Sequence, residues 1–343
     1  MKSSQSYWTC CCIPMLLLSV YSVLIAPAIP CRAQEPAGEG ATKSKDPKDG
    51  ERDPVDEPAR FIRLVRDDAG TPLRMEVAVV RFQAPEGGAV VDLVSAVHIG
   101  EREYYDTLNQ RFADYDAVLY ELVAPAGTRV PAGGGQRSGN PVSMLQDMSK
   151  DFLQLSSQLE CVDYTGANFV HADMSPEAIG KAMKERGDTP FTIFLSATAE
   201  AMRQANLQAQ QQQAQGNKID VDLFSLLGDP AAPKRVKTML AEQFAESGML
   251  EAGLGPTLNK MLVQDRNAAA VRVLQSQLAK GKQKLAIFYG AAHMPDFQRR
   301  LKDDFGLQSQ STEWLLAWDL TKTPQGNATS PLQQLKQLLE QGP

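Results

Sequence analysis

The sequence predicts an α/β protein with a central mixed sheet of two half-units and a large helical insertion between them. Three observations carry this expectation. Two runs, Val90–Val97 and Leu285–Tyr289, are almost continuously apolar, as strands covered on both faces are. Between the first run and Ala117-Val118-Leu119-Tyr120 lies a segment with Tyr104, Leu108 and Phe112 at four-residue spacing, so strand, helix and strand follow with short connections. From about residue 141 to about residue 280 helical spacing takes over.

Residues 1–33 read as a secretory signal peptide: Lys2 supplies a positive start, Cys10 to Ile29 is mostly apolar, and Cys31-Arg32-Ala33 offers small residues for cleavage. The expected location is exported, periplasmic or extracellular. Pro14 and Pro27 make the run a poor permanent membrane helix, and an uncleaved leader that holds the protein at a membrane is the alternative. Residues 34–58 carry Pro, Gly and both charge signs with Val55 as the one sizeable hydrophobe, which predicts a disordered charged linker. The α/β domain is expected over 59–321, and residues 322–343 read as a polar C-terminal tail.

Within the domain, strands are expected at Arg60–Arg66, Leu73–Phe82 and Ala89–Val97, separated by the turn sequences Asp67-Asp68-Ala69-Gly70 and Pro85-Glu86-Gly87-Gly88. Glu101 to Ala113 should be a helix and Ala117–Tyr120 a buried strand. Leu145, Met148, Phe152, Leu155 and Leu159 form an amphipathic stripe. Ser175-Pro176 opens another helix, with Ser175 as cap and Pro176 in the first turn. Further helices are expected at Thr192–Gln215 and Leu258–Lys280, strands at Leu285–Tyr289 and Trp314–Leu320, and a short helix near Pro331–Leu339 in the tail. Asn327-Ala328-Thr329 fits a glycosylation sequon, a pattern common by chance.

Lys and Arg total 35 against 41 Asp and Glu, a net charge of −6 that argues against a nucleic-acid partner. Four of the five cysteines lie in the leader. The mature chain would keep Cys161 alone, read as a buried structural thiol rather than a nucleophile, with no intramolecular disulfide.

The chemistry centres on the only three histidines, His98, His171 and His293. His98 follows Val94-Ser95-Ala96-Val97, and His293 follows Tyr289-Gly290-Ala291-Ala292. Each run goes from apolar strand through a small residue, Ser95 or Gly290, to a histidine. Ligands bind at the carboxyl ends of strands in α/β sheets, so the two could converge. Each alone could equally bond a nearby carbonyl. Glu121 follows a buried strand directly and needs a partner there, as a salt-bridge member, a general base or a metal ligand. His171 and Asp173 lie in the polar stretch Asp163–Met174, expected to be a loop that closes over a site. Arg266 and Asn267, inside an apolar helix, could reach substrate or an oxyanion, or fix a carboxylate. The Gly-rich Pro131–Gly139 lacks the ending of a phosphate-binding loop, and there is no HExxH, GxSxG or paired CxxC.

In their order, the segments Ser95–Glu101, Val118–Leu122, Arg266-Asn267 and Tyr289–His293 resemble TraB/GumN-type proteins, a family that includes the Tiki metalloproteases and the pheromone-shutdown proteins. The resemblance spans roughly residues 75–300. It implies a Tiki/TraB-like fold and a divalent-metal site (Mn, Co or Zn) built from His98, His293 and Glu121, with hydrolysis of a peptide or small-molecule substrate. Ser95 stands where the family's first motif has glycine, and His171 has no assigned equivalent. A non-catalytic module for haem or another ligand, or a catalytically silent interaction protein, is the alternative on the same fold.

Overall fold

The computed structural model describes residues 60–125, 127–134, 152–188, 192, 203, 231–245 and 259–322. The leader, the linker, Leu145 and Met148 of the stripe, most of the Thr192–Gln215 helix, the sequon and the end of the tail lie outside the described residues.

Strands β1 (Ile62–Arg66), β2 (Pro72–Gln83), β3 (Val90–Ala96), β5 (Ala117–Tyr120), β7 (Phe169–His171), β8 (Lys284–Gly290) and β9 (Gln308–Asp319) form a mixed seven-stranded sheet. β9 pairs antiparallel with β2 over Arg74–Gln83. That occupies one edge of β2, so β1 and β3 lie end to end along the other. Beyond β3 the sheet is parallel in the order β3, β8, β5, β7. The predicted α/β class and the buried character of β3, β5 and β8 therefore hold, the central residues of all three being fully buried.

Alternation along the strands sends successive side chains to opposite faces. Val94, Ala96, Val118, Tyr120, Ala286 and Phe288 pack on one side, against Tyr104, Leu108 and Phe112 of α1 (Arg102–Phe112). Leu93, Leu119, Leu285, Ile287 and Tyr289 pack on the other, against α5 (Asp265–Ala279) and α6 (Met294–Phe305). Helices thus cover both faces of the parallel half, the arrangement that such strands require.

Several local expectations need correction. The stripe through Phe152, Leu155 and Leu159 is not one helix. Gln154 takes a left-handed φ of 54°, and β6 (Ser156–Ser157) pairs with β4 (Ile99–Gly100) before the short α2 (Gln158–Cys161). Its apolar residues still face the core, so helical spacing arose without a continuous helix. The Asp163–Met174 stretch is not wholly loop, since Phe169–His171 forms β7, the parallel neighbour of β5. The insertion consequently contains strand as well as α3 (Pro176–Arg186) and α4 (Ala232–Ala245). Ser175 caps α3 as expected, its hydroxyl accepting from the Ala178 amide. β9 starts at Gln308, six residues before its predicted start, because its exposed polar half continues the backbone pairing with β2 without an apolar pattern. Cys161 is a buried free thiol, as expected.

A buried ion pair ties α4 to the end of the sheet. Lys237 Nζ lies 2.7 Å from Glu101 Oε1, and Lys322 Nζ lies 2.9 Å from the other oxygen. Burial pushes the Glu101 carboxyl up, but Lys237, Lys322 and the Asp319 amide outweigh it and leave the group below its ordinary 4.5. Glu76 is likewise held down against burial by Arg74 and Arg63. A folded-state pKa below the unfolded one contributes stability that is full above the unfolded value and lost as pH falls through the folded one. Urea midpoints should therefore decline as pH drops below about 4.5, and Glu101→Gln should flatten that decline.

Candidate functional site

All four parallel strands end on one edge of the sheet. Ala96 pairs in register with Gly290, and Tyr120 pairs with both Phe288 and His171. The residues that follow these ends are those with polar chemistry: His98, His293, Glu121 and Asp173. Sheet order decides which of them meet. β8 lies between β3 and β5, so Glu121 is adjacent to the strand that leads to His293 and two strands from the one that leads to His98. At about 4.8 Å per strand, β3 and β5 are roughly 10 Å apart.

Glu121 is at the centre. Its Oε2 accepts from the Gly290 amide at 2.8 Å, and its Oε1 accepts from Arg266 Nη2 at 2.6 Å. A Cβ at Gly290 would stand 3.4 Å from that Oε2, so the glycine serves close approach; its φ of −52° is ordinary. Burial pushes the Glu121 carboxyl up, but the Arg266 guanidinium beside it, with His293 and to a lesser degree His98, holds it well below the usual carboxylate range.

Arg266 comes from the first turn of α5, just after a π-helical segment at Lys260–Gln264. Such segments often occur at functional sites. Its Nε and Nη2 grip both oxygens of Asp173 at 3.0 and 2.6 Å, and Nη1 donates to the Leu262 carbonyl. The guanidinium is thus spent on protein groups. Glu121, Asp173 and Arg266 together carry a formal charge of −1.

His293 is fully buried, and its Nδ1 lies 2.6 Å from Asn267 Oδ1. Asn267 Nδ2 faces two acceptors, the His293 carbonyl at 2.9 Å and Asp296 Oδ2 at 3.0 Å. That fixes the amide orientation and makes His293 Nδ1 the donor. Nε2 is buried, lies 3.5 Å from Glu121 Oε1 and has no hydrogen-bond partner among the described residues. The Tyr289 ring, 5.2 Å from the imidazole centroid to centroid, packs against it, and the Tyr289 hydroxyl donates to the Ala172 carbonyl at 2.5 Å.

The remaining candidates are placed differently. His98 is exposed, its carbonyl accepts from the Gln158 amide, and its side chain takes no hydrogen bond among the described residues. His171 spends Nε2 on the Leu122 carbonyl at 2.6 Å and packs edge-on to Tyr120, whose side chain points to the α1 face. Ser95 pairs in register with Tyr289, and its hydroxyl is buried without a partner among the described residues. The structure thus brings together Glu121, His293, Arg266, Asn267, Asp173 and Gly290, and leaves His98 and His171 outside that cluster. Asp296 and Tyr289 belong to it although sequence reasoning did not select them. The one signal for Asp296 was its place three residues after His293, with Arg299 and Arg300 one helical turn further on.

The pair fits a divalent cation in chemistry and spacing. A carboxylate oxygen and an imidazole nitrogen, each about 2.1 Å from a shared ion, stand roughly 3.0–3.5 Å apart, against the observed 3.5 Å. Among the described residues, no group of three or more His, Cys, Asp or Glu side chains is arranged to hold a metal ion.

Fold and site define an α/β protein with a buried histidine–carboxylate centre at the carboxyl edge of its parallel strands. No protein-family model, curated protein or solved structure matches this chain.

Proposed function

We propose that this chain is an exported, metal-dependent hydrolase of TraB/GumN type, with a peptide or small-molecule amide or ester as substrate. One observation carries the reading: the buried Nε2 of His293, without a hydrogen-bond partner among the described residues, lies 3.5 Å from Glu121 Oε1 on the edge where α/β sheets bind ligands. Glu121 and His293 would hold Mn²⁺, Co²⁺ or Zn²⁺, with His98 as the third family position. A bound divalent cation supplies Lewis acidity toward a carbonyl oxygen and toward water.

The chain's own residues have distinct tasks. Glu121, its oxygens held by Arg266 Nη2 and the Gly290 amide and one of them 3.5 Å from His293 Nε2, would act as ligand or as base. Arg266 orients that carboxylate and neutralises Asp173. Asn267 orients His293. Both are positioning residues, since their hydrogen bonds go to protein groups.

The test is hydrolysis of peptide and ester libraries by the full-length protein with each of the three cations, beside a chelated control and Glu121→Gln. Metal-dependent turnover in the wild type and none in the variant is expected; equal turnover in both contradicts the reading. The exposure of His98 favours a second reading, a non-catalytic haem- or ligand-binding module. A Soret band on haem addition, without turnover, would distinguish it.

A further inference from the structure

The hydrogen bonds behind His293 extend one residue further than the Asn267 contact. Asp296 Oδ2 accepts from Asn267 Nδ2 at 3.0 Å and from Arg300 Nε at 2.6 Å, while Oδ1 accepts from Arg299 Nη2 at 2.6 Å. Arg300 is itself anchored by a bond to the Gln264 carbonyl at 3.2 Å.

An asparagine amide presents a donor on one side and an acceptor on the other, and it can turn over unless its surroundings choose. In this structure the surroundings choose twice. The His293 carbonyl can only accept, and Asp296, ionised between two arginines, can only accept. Burial pushes the Asp296 carboxyl up, but Arg300, Arg299 and Asn267 outweigh it and keep the group below the usual carboxylate range. With Nδ2 committed to these two oxygens, Oδ1 must face the ring. A flipped amide would set Oδ1 against two oxygens and lose both bonds.

We infer that Asp296 is a positioning residue: by holding the Asn267 amide in one orientation, it places a proton on His293 Nδ1 and leaves Nε2 as the nitrogen that faces Glu121. The consequence for metal chemistry rests on the function proposed above; the tautomer itself does not. Outer partners of this kind fix ring orientation and tautomer in metal-binding histidines. Here the control passes through an amide to a carboxylate three residues beyond the histidine, on the first turn of α6.

Nitrogen-15 labelling of histidine in the full-length, chelator-treated protein tests this. With three histidines in the chain, long-range proton–nitrogen correlation shows three ring systems, and His293→Gln identifies one by its loss. The wild type should show His293 protonated on Nδ1, with no form that carries its proton on Nε2 alone. Asp296→Ala, which leaves the His293 carbonyl as the acceptor that still holds the amide, should add a measurable Nε2–H population, and Asp296→Glu, which still only accepts, should remove it. A wild-type ring that carries its proton on Nε2 alone overturns the inference without need of a variant. So does an unchanged pattern in folded Asp296→Ala. Protein that binds no metal yet shows the Nδ1–H form would keep this inference while the metal-dependent function fails.

Discussion

His293→Ala should abolish the stabilisation that a divalent cation is expected to give the wild-type protein. A ligand that binds only the folded state stabilises it by about 2.7 kcal/mol at roughly 100 times its dissociation constant. For a domain of roughly 150–250 residues each kcal/mol moves the midpoint about 2–4 °C, so the wild type should gain roughly 5–10 °C. His98→Ala should keep part of that gain, because its exposed side chain lies outside the Glu121–His293 contact. Thermal unfolding with and without Mn²⁺, Co²⁺ or Zn²⁺ reads all three proteins. Equal shifts in wild type and His293→Ala would remove His293 from the centre.

Arg266→Leu should cause the largest loss of stability among the site variants. Its guanidinium serves Asp173, whose side chain is wholly buried, and Glu121, which is nearly so. Removing it leaves two carboxylates close together without a counter-charge. Breaking a buried pair by deleting one partner costs about 3–5 kcal/mol, most of it the burial of the charge left behind. Arg266→Lys should recover only part, since one ammonium cannot reproduce a fork that spans both oxygens of Asp173 and one of Glu121. Urea denaturation near neutral pH measures both. A loss for Arg266→Leu under about 1 kcal/mol would show that the carboxylates find relief elsewhere.

What the sequence disclosed, and what it hid, follows from the range of each interaction. Strands β3, β5 and β8 were legible because burial on both faces leaves an unbroken apolar run, and Glu121 stood out as a charge set directly after one. Pairing order was not legible. Nothing local states that β8, more than 160 residues after β5, inserts between β3 and β5, yet that insertion gives Glu121 to His293 rather than His98. β7 has three residues, too few for alternation to register. His171 looked like a loop contributor because its polar neighbours are those of a turn, while the bond that engages it is to a backbone carbonyl 49 residues away. Arg266 and Asn267 were conspicuous as a polar pair in an apolar helix. Their partners, Asp173 and His293, became visible only when the helix packed on the sheet.

The most direct measurement of the central claim is the metal retained by full-length protein after equilibration with Mn²⁺, Co²⁺ or Zn²⁺ and removal of free ion, for the wild type beside a His98→Ala/His293→Ala double variant. The account predicts one bound cation per wild-type chain and none in the folded double variant. Equal metal in the two proteins would contradict it.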